Sequence, residues 1–321
     1  MASNTNVLAL EMGGTKLQLA LGTAEGAILA RKRGSVKVED GAQGILEWFA
    51  RAIPPLLEEA AGDYAAPKAI GVGFGGPVES ATGRALVSHQ VRGWDGILVR
   101  AWFEERFGLP TVVANDANAA GWAEYCLGAG RGTQTFCYMN IGSGIGGALV
   151  VGGKLLDGQG LGAAEIGHTY VPDWTSNAPG AANKLENVCS GWGIERRIRA
   201  WTDLAPDSPL AVLCGGDATA LTCPMLADAA RQGDARALEE LDNVAKTVGL
   251  ALSNVLTLVH PECIALGGGV SLMGDILIEP IRRHTAARVF GPFRDHYSIV
   301  PCALEEDVVV AGALLLAGEA G

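Results

Sequence analysis

Asn115 and Asp116 stand where this chain could do chemistry. They follow Thr111 to Ala114, a short apolar run with β-branched residues that suits a buried parallel strand, and they precede an Ala-rich segment that suits a helix. That places them at the carboxyl end of a strand, the edge where open α/β sheets bind ligands, and a carboxylate there can accept a proton from a substrate hydroxyl. The competing reading is that Asp116 or Asn118 caps the helix. Gly13-Gly14-Thr15-Lys16 could present backbone N–H groups and a hydroxyl to a phosphate, because paired glycines let the backbone approach without a Cβ; it also reads as an ordinary hairpin turn. Ser88, His89, Gln90 and Trp94 are polar and aromatic groups of the kind that line a sugar cleft. Glu165 and His168 stand three residues apart, on one face if helical, or both aimed into a cleft if the glycine-punctuated stretch is a loop.

Several elements must hold these groups. Val7 to Leu10 and Leu17 to Leu21 read as strands around the Gly13-Gly14 turn, with a third strand from Ala27 to Arg31. A helix over 42–61 is expected to be interrupted at Pro54 and Pro55, and a strand from Ala69 to Phe74 runs into Gly75-Gly76-Pro77, where something approaches the backbone closely. Val99 to Phe107 is a short helix leading to Asp116. Beyond it the opening pattern recurs: a strand from Phe136 to Ile141, the turn Gly142-Ser143-Gly144-Ile145-Gly146-Gly147, a strand from Ala148 to Val151, and a short third strand after Gly152-Gly153. A duplicated strand–turn–strand meander implies two similar domains whose glycine turns face each other across a cleft, with a nucleotide polyphosphate as the natural occupant.

Gly142, Gly144 and Gly147 fit the dinucleotide fingerprint G-x-G-x-x-G, but that motif needs a helix directly after it. Here ALVVGGKLLDG reads as strand, turn and strand, so no helix dipole is expected at this turn. The P-loop pattern G-x-x-x-x-G-K-[ST] is absent from the chain. Further on, Lys184 to Thr202 reads as one helix carrying Glu186 early, 203–236 as a helical lobe, and Leu238 to His260 as a long amphipathic helix. A strand from Cys263 to Leu266 ends in Gly267-Gly268-Gly269, a junction suited to the flat face of a base and its ribose. A helix over 274–288, a strand over 298–303 and an apolar helix over 308–317 close the chain.

Composition limits the function classes. A chain of 321 residues with 49% hydrophobic and 18% charged residues can bury a large core and favours two domains over one. The net charge of -11 and a pI near 5.0 argue against a sequence-independent grip on nucleic acid. The start lacks a basic n-region and no apolar run is long enough to span a bilayer, so the expected location is the cytoplasm. Seven scattered cysteines with no C-x-x-C pair read as reduced thiols without metal-ligand spacing.

Together these stretches resemble the ROK (repressor, open reading frame, kinase) family of sugar kinases, within the actin-like ATPase superfamily. The residues that carry the resemblance are EMGGTK, GFGGPVESATG, VVANDANAAGWAE, NIGSGIGGALVVGGKLLDGQGLGAAEIGH, LENVCSG and ALGGGVS, in this order along nearly the whole chain. The resemblance implies an α/β fold of two actin-like (ribonuclease H-like) domains, 1–114 completed by 305–321 and 115–304, with a cleft between them. It implies phosphoryl transfer from Mg-ATP to a hexose hydroxyl, usually O6. Asp116 would be the base; Gly75, Asn115, Glu165, His168 and Glu186 would bind the sugar. Gly13, Gly14, Thr15, Lys16, Gly142, Ser143, Gly144 and Gly146 would hold phosphates, and Gly267, Gly268 and Gly269 would lie by the adenosine. A homo-oligomer such as a dimer is the family habit.

The chemistry agrees, since phosphoryl transfer asks mainly for positioning and charge stabilisation: glycine-lined phosphate seats, a metal carried with the nucleotide and one carboxylate at the attacking oxygen. Three departures stand out. Glu11 replaces the usual Asp before the GGT turn, so any magnesium contact there is made by a side chain one methylene longer. The segment before Glu186, TSNAPGAANKLE, lacks the cysteines of the family's structural zinc, so no structural zinc is expected. His89 and Gln90 stand before Gly93-Trp94 where Asn is usual. The alternatives are a kinase of an amino sugar or cyclitol, and a non-catalytic sugar- or nucleotide-binding protein; a repressor is disfavoured because the first glycine turn comes too early for a preceding helix-turn-helix.

Overall fold

The computed structural model describes residues 5–88 and 90–320. In chain order its elements are β1 (Asn6–Met12), β2 (Lys16–Thr23), β3 (Ile28–Ser35), α1 (Gly41–Ala60), β4 (Ile70–Phe74), β5 (Val78–Glu79), β6 (Arg84–Ala85), α2 (Val99–Phe107), β7 (Thr111–Asn115) and α3 (Asp116–Leu127). There follow β8 (Thr135–Ile141), β9 (Ile145–Val151), β10 (Lys154–Leu155), β11 (Tyr170–Pro172), β12 (Ala182–Lys184), α4 (Leu185–Cys189), α5 (Gly191–Ile198), α6 (Pro209–Leu213) and α7 (Cys223–Arg231). The last are α8 (Ala235–Val259), β13 (Cys263–Gly267), α9 (Asp275–Ala286), β14 (Ser298–Pro301) and α10 (Val308–Ala320). The chain divides into one unit of residues 1–131, 148–164 and 303–321 and another of 132–147 and 165–302.

The first five-stranded sheet has the order β3-β2-β1-β4-β7, antiparallel among the first three and parallel from β1 through β4 to β7. Every residue of β1 is buried, because both faces of the sheet are covered and successive side chains alternate between them. Leu8, Leu10 and Met12 join Ile45, Leu46, Phe49 and Ile53 of α1 in the larger core. Val7 and Ala9 face the other way, onto Val310, Ala313, Leu314 and Ala317 of α10. That helix is apolar nearly all round since it lies between the sheet and α3.

A second five-stranded sheet has the order β10-β9-β8-β13-β14, with β8, β13 and β14 parallel. It repeats the first sheet's pattern, which is the duplication that the glycine-turn motifs foretold. Two helices depart from expectation. α1 runs unbroken through Pro54 and Pro55. The carbonyls that lose N–H partners belong to Ala50 and Arg51, half-buried and exposed residues on the side of α1 away from the core, while Ile53 and Leu56 hold the helix on the core. The span 184–202 is instead split into α4 and α5, because Ser190 takes an extended conformation and its side chain accepts from Gly193 N–H, starting a new helix. Among the described residues no helix is long and apolar enough to cross a membrane.

Candidate functional site

In the first unit, Asn115 ends β7 and Asp116 begins α3. The cap falls to Asn115: its Oδ1 accepts from Ala117 N–H at 2.9 Å and Asn118 N–H at 3.2 Å, while its Nδ2 donates to Gly76 O at 3.1 Å. With that role taken, Asp116 is the first helical residue, half-buried at the carboxyl edge of the sheet, its Oδ1 accepting from Ala117 N–H at 2.7 Å. The positive end of the helix suits a negative charge there. Gly75 lies beside it: a Cβ on Gly75 would stand 3.7 Å from Asp116 Oδ2, so the glycine keeps bulk away from that oxygen. Gly75 itself is held by its N–H bond to Met12 O at 2.9 Å, which brings Asn115, Asp116, Gly75 and the start of the Gly13 turn together.

The Gly13-to-Lys16 stretch closes the β1–β2 hairpin, with Gly13 N–H donating to Lys16 O at 3.2 Å. Thr15 and Lys16 are exposed, and the Gln90 side chain lies on Gly14. Trp94 is buried edge-on against Phe74, ring centroids 4.7 Å apart, so it anchors the loop rather than lining a surface. His89 lies outside the described residues. Glu11 is buried on the sheet, its Oε2 accepting from Gln18 Nε2 at 2.6 Å and its Oε1 standing 3.5 Å from Lys16 Nζ. Burial pushes its carboxyl above the usual range, against the opposing pull of Gln18 and Lys16. A single hard carboxylate beside the Gly13-to-Lys16 turn is of the type that a magnesium ion takes as a ligand.

In the second unit, the turn after β8 and the end of β13 are neighbours, since β8 and β13 pair in parallel with Asn140 opposite Gly267. Val270 N–H bonds Ile141 O at 2.9 Å and Ser271 Oγ bonds Gly267 O at 2.6 Å, fastening the two glycine junctions side by side at the carboxyl edge. Gly268 has φ +84, while no atom comes within 4 Å of a Cβ built on Gly269. Ser143 is exposed and Gly146 half-buried. Glu186, in the first turn of α4, reaches this turn: its Oε2 accepts from Ile145 N–H at 2.8 Å, and a Cβ on Gly144 would stand 2.6 Å from that oxygen.

As expected, a strand and not a helix follows this turn directly, but a helix from further along the chain reaches it. The first N–H of α5, that of Gly191, donates to Gly142 O at 2.7 Å. Sequence reasoning missed Ser190 and Gly191; the signal was a Ser-Gly pair inside an apparent helix, which marks a new N-cap. Glu165 precedes a short 3-10 turn that ends at His168, and both are exposed. Lys184 Nζ lies 3.1 Å from His168 Nδ1.

The segment that would carry zinc thiolates offers none and is ordered by other means. Asp173 Oδ1 accepts from Thr175 N–H and Oγ1, and Oδ2 from Asn183 Nδ2 at 3.0 Å. Burial alone would raise the Asp173 carboxyl, but these bonds hold it below its ordinary value. Next to it the Trp174 ring stacks under Arg197, whose guanidinium also pairs with buried Glu240.

A model of the ROK family matches residues 7–320. The chain is 33% identical to a glucokinase of Halalkalibacterium halodurans over 94% of its own length and 92% of that protein's. It is 31% identical to a glucokinase of Thermotoga maritima, covering 96% and 95% respectively. Its fold matches the crystal structure of a ROK family glucokinase from Streptomyces griseus in complex with glucose and AMPPNP, with a TM-score of 0.80 and 29% identity over 98% of this chain and 99% of that one.

Proposed function

This chain belongs to the ROK family and is a phosphotransferase of the sugar-kinase type, and from that premise we propose that it transfers the γ-phosphoryl group of ATP to a hexose hydroxyl, O6 of glucose or a related hexose, with Asp116 as base. Its α/β fold is that of the actin-like ATPases. The observation that carries the proposal is the placement of Asp116, a carboxylate at the first turn of α3 beside Gly75, held there by the Asn115 cap.

As the sugar oxygen bonds to phosphorus and the bond to ADP breaks, the hydroxyl proton passes to the Asp116 carboxylate. Asn115 positions that carboxylate and, with Gly75, Glu165, His168 and Glu186, supplies donors and acceptors for the other sugar hydroxyls; each one left unpaired on burial costs about 1 to 3 kcal/mol. Gly13, Gly14, Thr15 and Lys16 take phosphate oxygens, as do Gly142, Ser143, Gly144 and Gly146. Gly267 to Gly269 take the adenosine, for which the space over Gly269 is the structural support. Magnesium would arrive with the nucleotide and supply charge neutralisation at the phosphates, and Glu11, whose carboxylate stands beside Lys16 of the first glycine turn, is the residue that would meet it.

ADP release with Mg-ATP against a panel of hexoses, hexosamines and cyclitols tests the reading. Turnover with one sugar, lowered by about 10² to 10⁴ in Asp116→Asn while sugar binding persists, is expected and names the substrate. Binding of sugar and ATP without turnover by the unmutated protein would overturn it.

A further inference from the structure

We infer that Glu124 is a positioning residue that ties the far end of the helix bearing Asp116 to the backbone at 129 and at 303–304, and so fixes the place of Asp116. This rests on the kinase reading above. The chain passes from one unit to the other after residues 131, 147, 164 and 302. Glu124 lies near the end of α3, is 0% exposed, and gives both carboxylate oxygens to backbone N–H groups beside two of those crossings. Its Oε2 accepts from Ala129 N–H at 2.9 Å, just ahead of the first crossing. Its Oε1 accepts from Ala303 N–H at 2.9 Å and Leu304 N–H at 2.8 Å, just beyond the last.

A buried carboxylate is unfavourable unless hydrogen-bonded, and near a helix C-terminus the dipole opposes its charge. Helix stability therefore does not account for an acid here, whereas three converging N–H donors do. Gly128 leaves the room: a Cβ on it would overlap the Glu124 carboxylate. α3 is a rod of 12 residues, so its fixed end sets the place of Asp116 at the other.

The test uses the full chain with Glu124→Gln, which keeps size but turns an NH2 toward one of the three N–H donors, and Gly128→Ala, which leaves Glu124 intact and displaces its carboxylate. Without ligand, both variants should exchange the amide hydrogens of 129–131 and 303–304 at least tenfold faster, with Asn6–Met12 and Ile70–Phe74 unchanged. This arm reads the clamp even if no sugar proves to be phosphorylated. With ligands, kcat should fall several-fold in both variants while sugar affinity changes no more than about twofold, because the carboxylate of Asp116 is displaced and the rest of the site is not. Unchanged exchange at 129–131 and 303–304, loss of protection throughout the chain, or an unchanged kcat would each overturn the inference.

Discussion

Gly268 and Gly269 are adjacent, yet alanine at each should do different harm. At φ +84 an L side chain carries a left-handed penalty of about 1 kcal/mol. A Cβ there would also overlap Ile141 O and Asn140 Oδ1. The Asn140 side chain can swing away, but Ile141 O is backbone and accepts from Val270 N–H at 2.9 Å; displacing it forfeits that bond, worth about 1 kcal/mol, on top of about 1 kcal/mol of overpacking. Gly268→Ala should therefore lose about 3 kcal/mol, a fall in Tm of roughly 6 to 12 °C at about 2 to 4 °C per kcal/mol. Gly269 is exposed, its φ lies outside the left-handed region, and a Cβ meets nothing within 4 Å, so Gly269→Ala should stay within about 0.5 kcal/mol of the parent. If that space receives adenosine, the silent variant is the one that weakens ATP, by about tenfold for a steric cost near 1.4 kcal/mol. Urea unfolding and ATP-analogue titration of both variants measure this. Equal destabilisation by the two, or a Gly268→Ala protein as stable as the parent, would refute the reasoning.

The other expectations concern charge. Asp116→Asn should lower kcat by about 10² to 10⁴ with sugar affinity changed no more than a few-fold, read by ADP release and sugar titration. Glu11 has a folded pKa raised by burial, so its stabilising protonated state is complete below the ordinary carboxylate range and is lost as pH rises through the raised value. Glu11→Gln cannot lose that proton; its stability relative to the parent should rise between pH 4 and pH 8 in urea titrations, and a flat or falling difference would contradict the assignment. Arg197→Ala should cost about 3 to 5 kcal/mol in unfolding experiments, because it strands the buried Glu240 carboxylate, whereas a paired change of Arg197→Met with Glu240→Leu should recover most of the loss.

Much of the fold was legible because its signals are local. Val7 to Leu10, Ala69 to Phe74 and Cys263 to Leu266 are read as strands ahead of glycine turns, and β1, β4 and β13 are buried there. Errors arose where packing overrode a local rule. Pro54 and Pro55 were read as a break, but the apolar face of α1 carries the helix across them. Ser190 was read as helix interior, though a hydroxyl that can accept from Gly193 N–H favours a cap.

By itself the sequence determined the strand–glycine–strand repeats, the position of Asp116 at a strand end, and the family, because each depends on residue type and short spacing along the chain. Only the tertiary structure decided which backbone group each buried polar side chain meets. Glu186 finds Ile145 N–H, and Glu124 finds Ala303 N–H, 179 residues further on. A hydrogen bond acts over about 3 Å in space whatever the separation in sequence, so its partner is unknown until the whole chain has brought the two together.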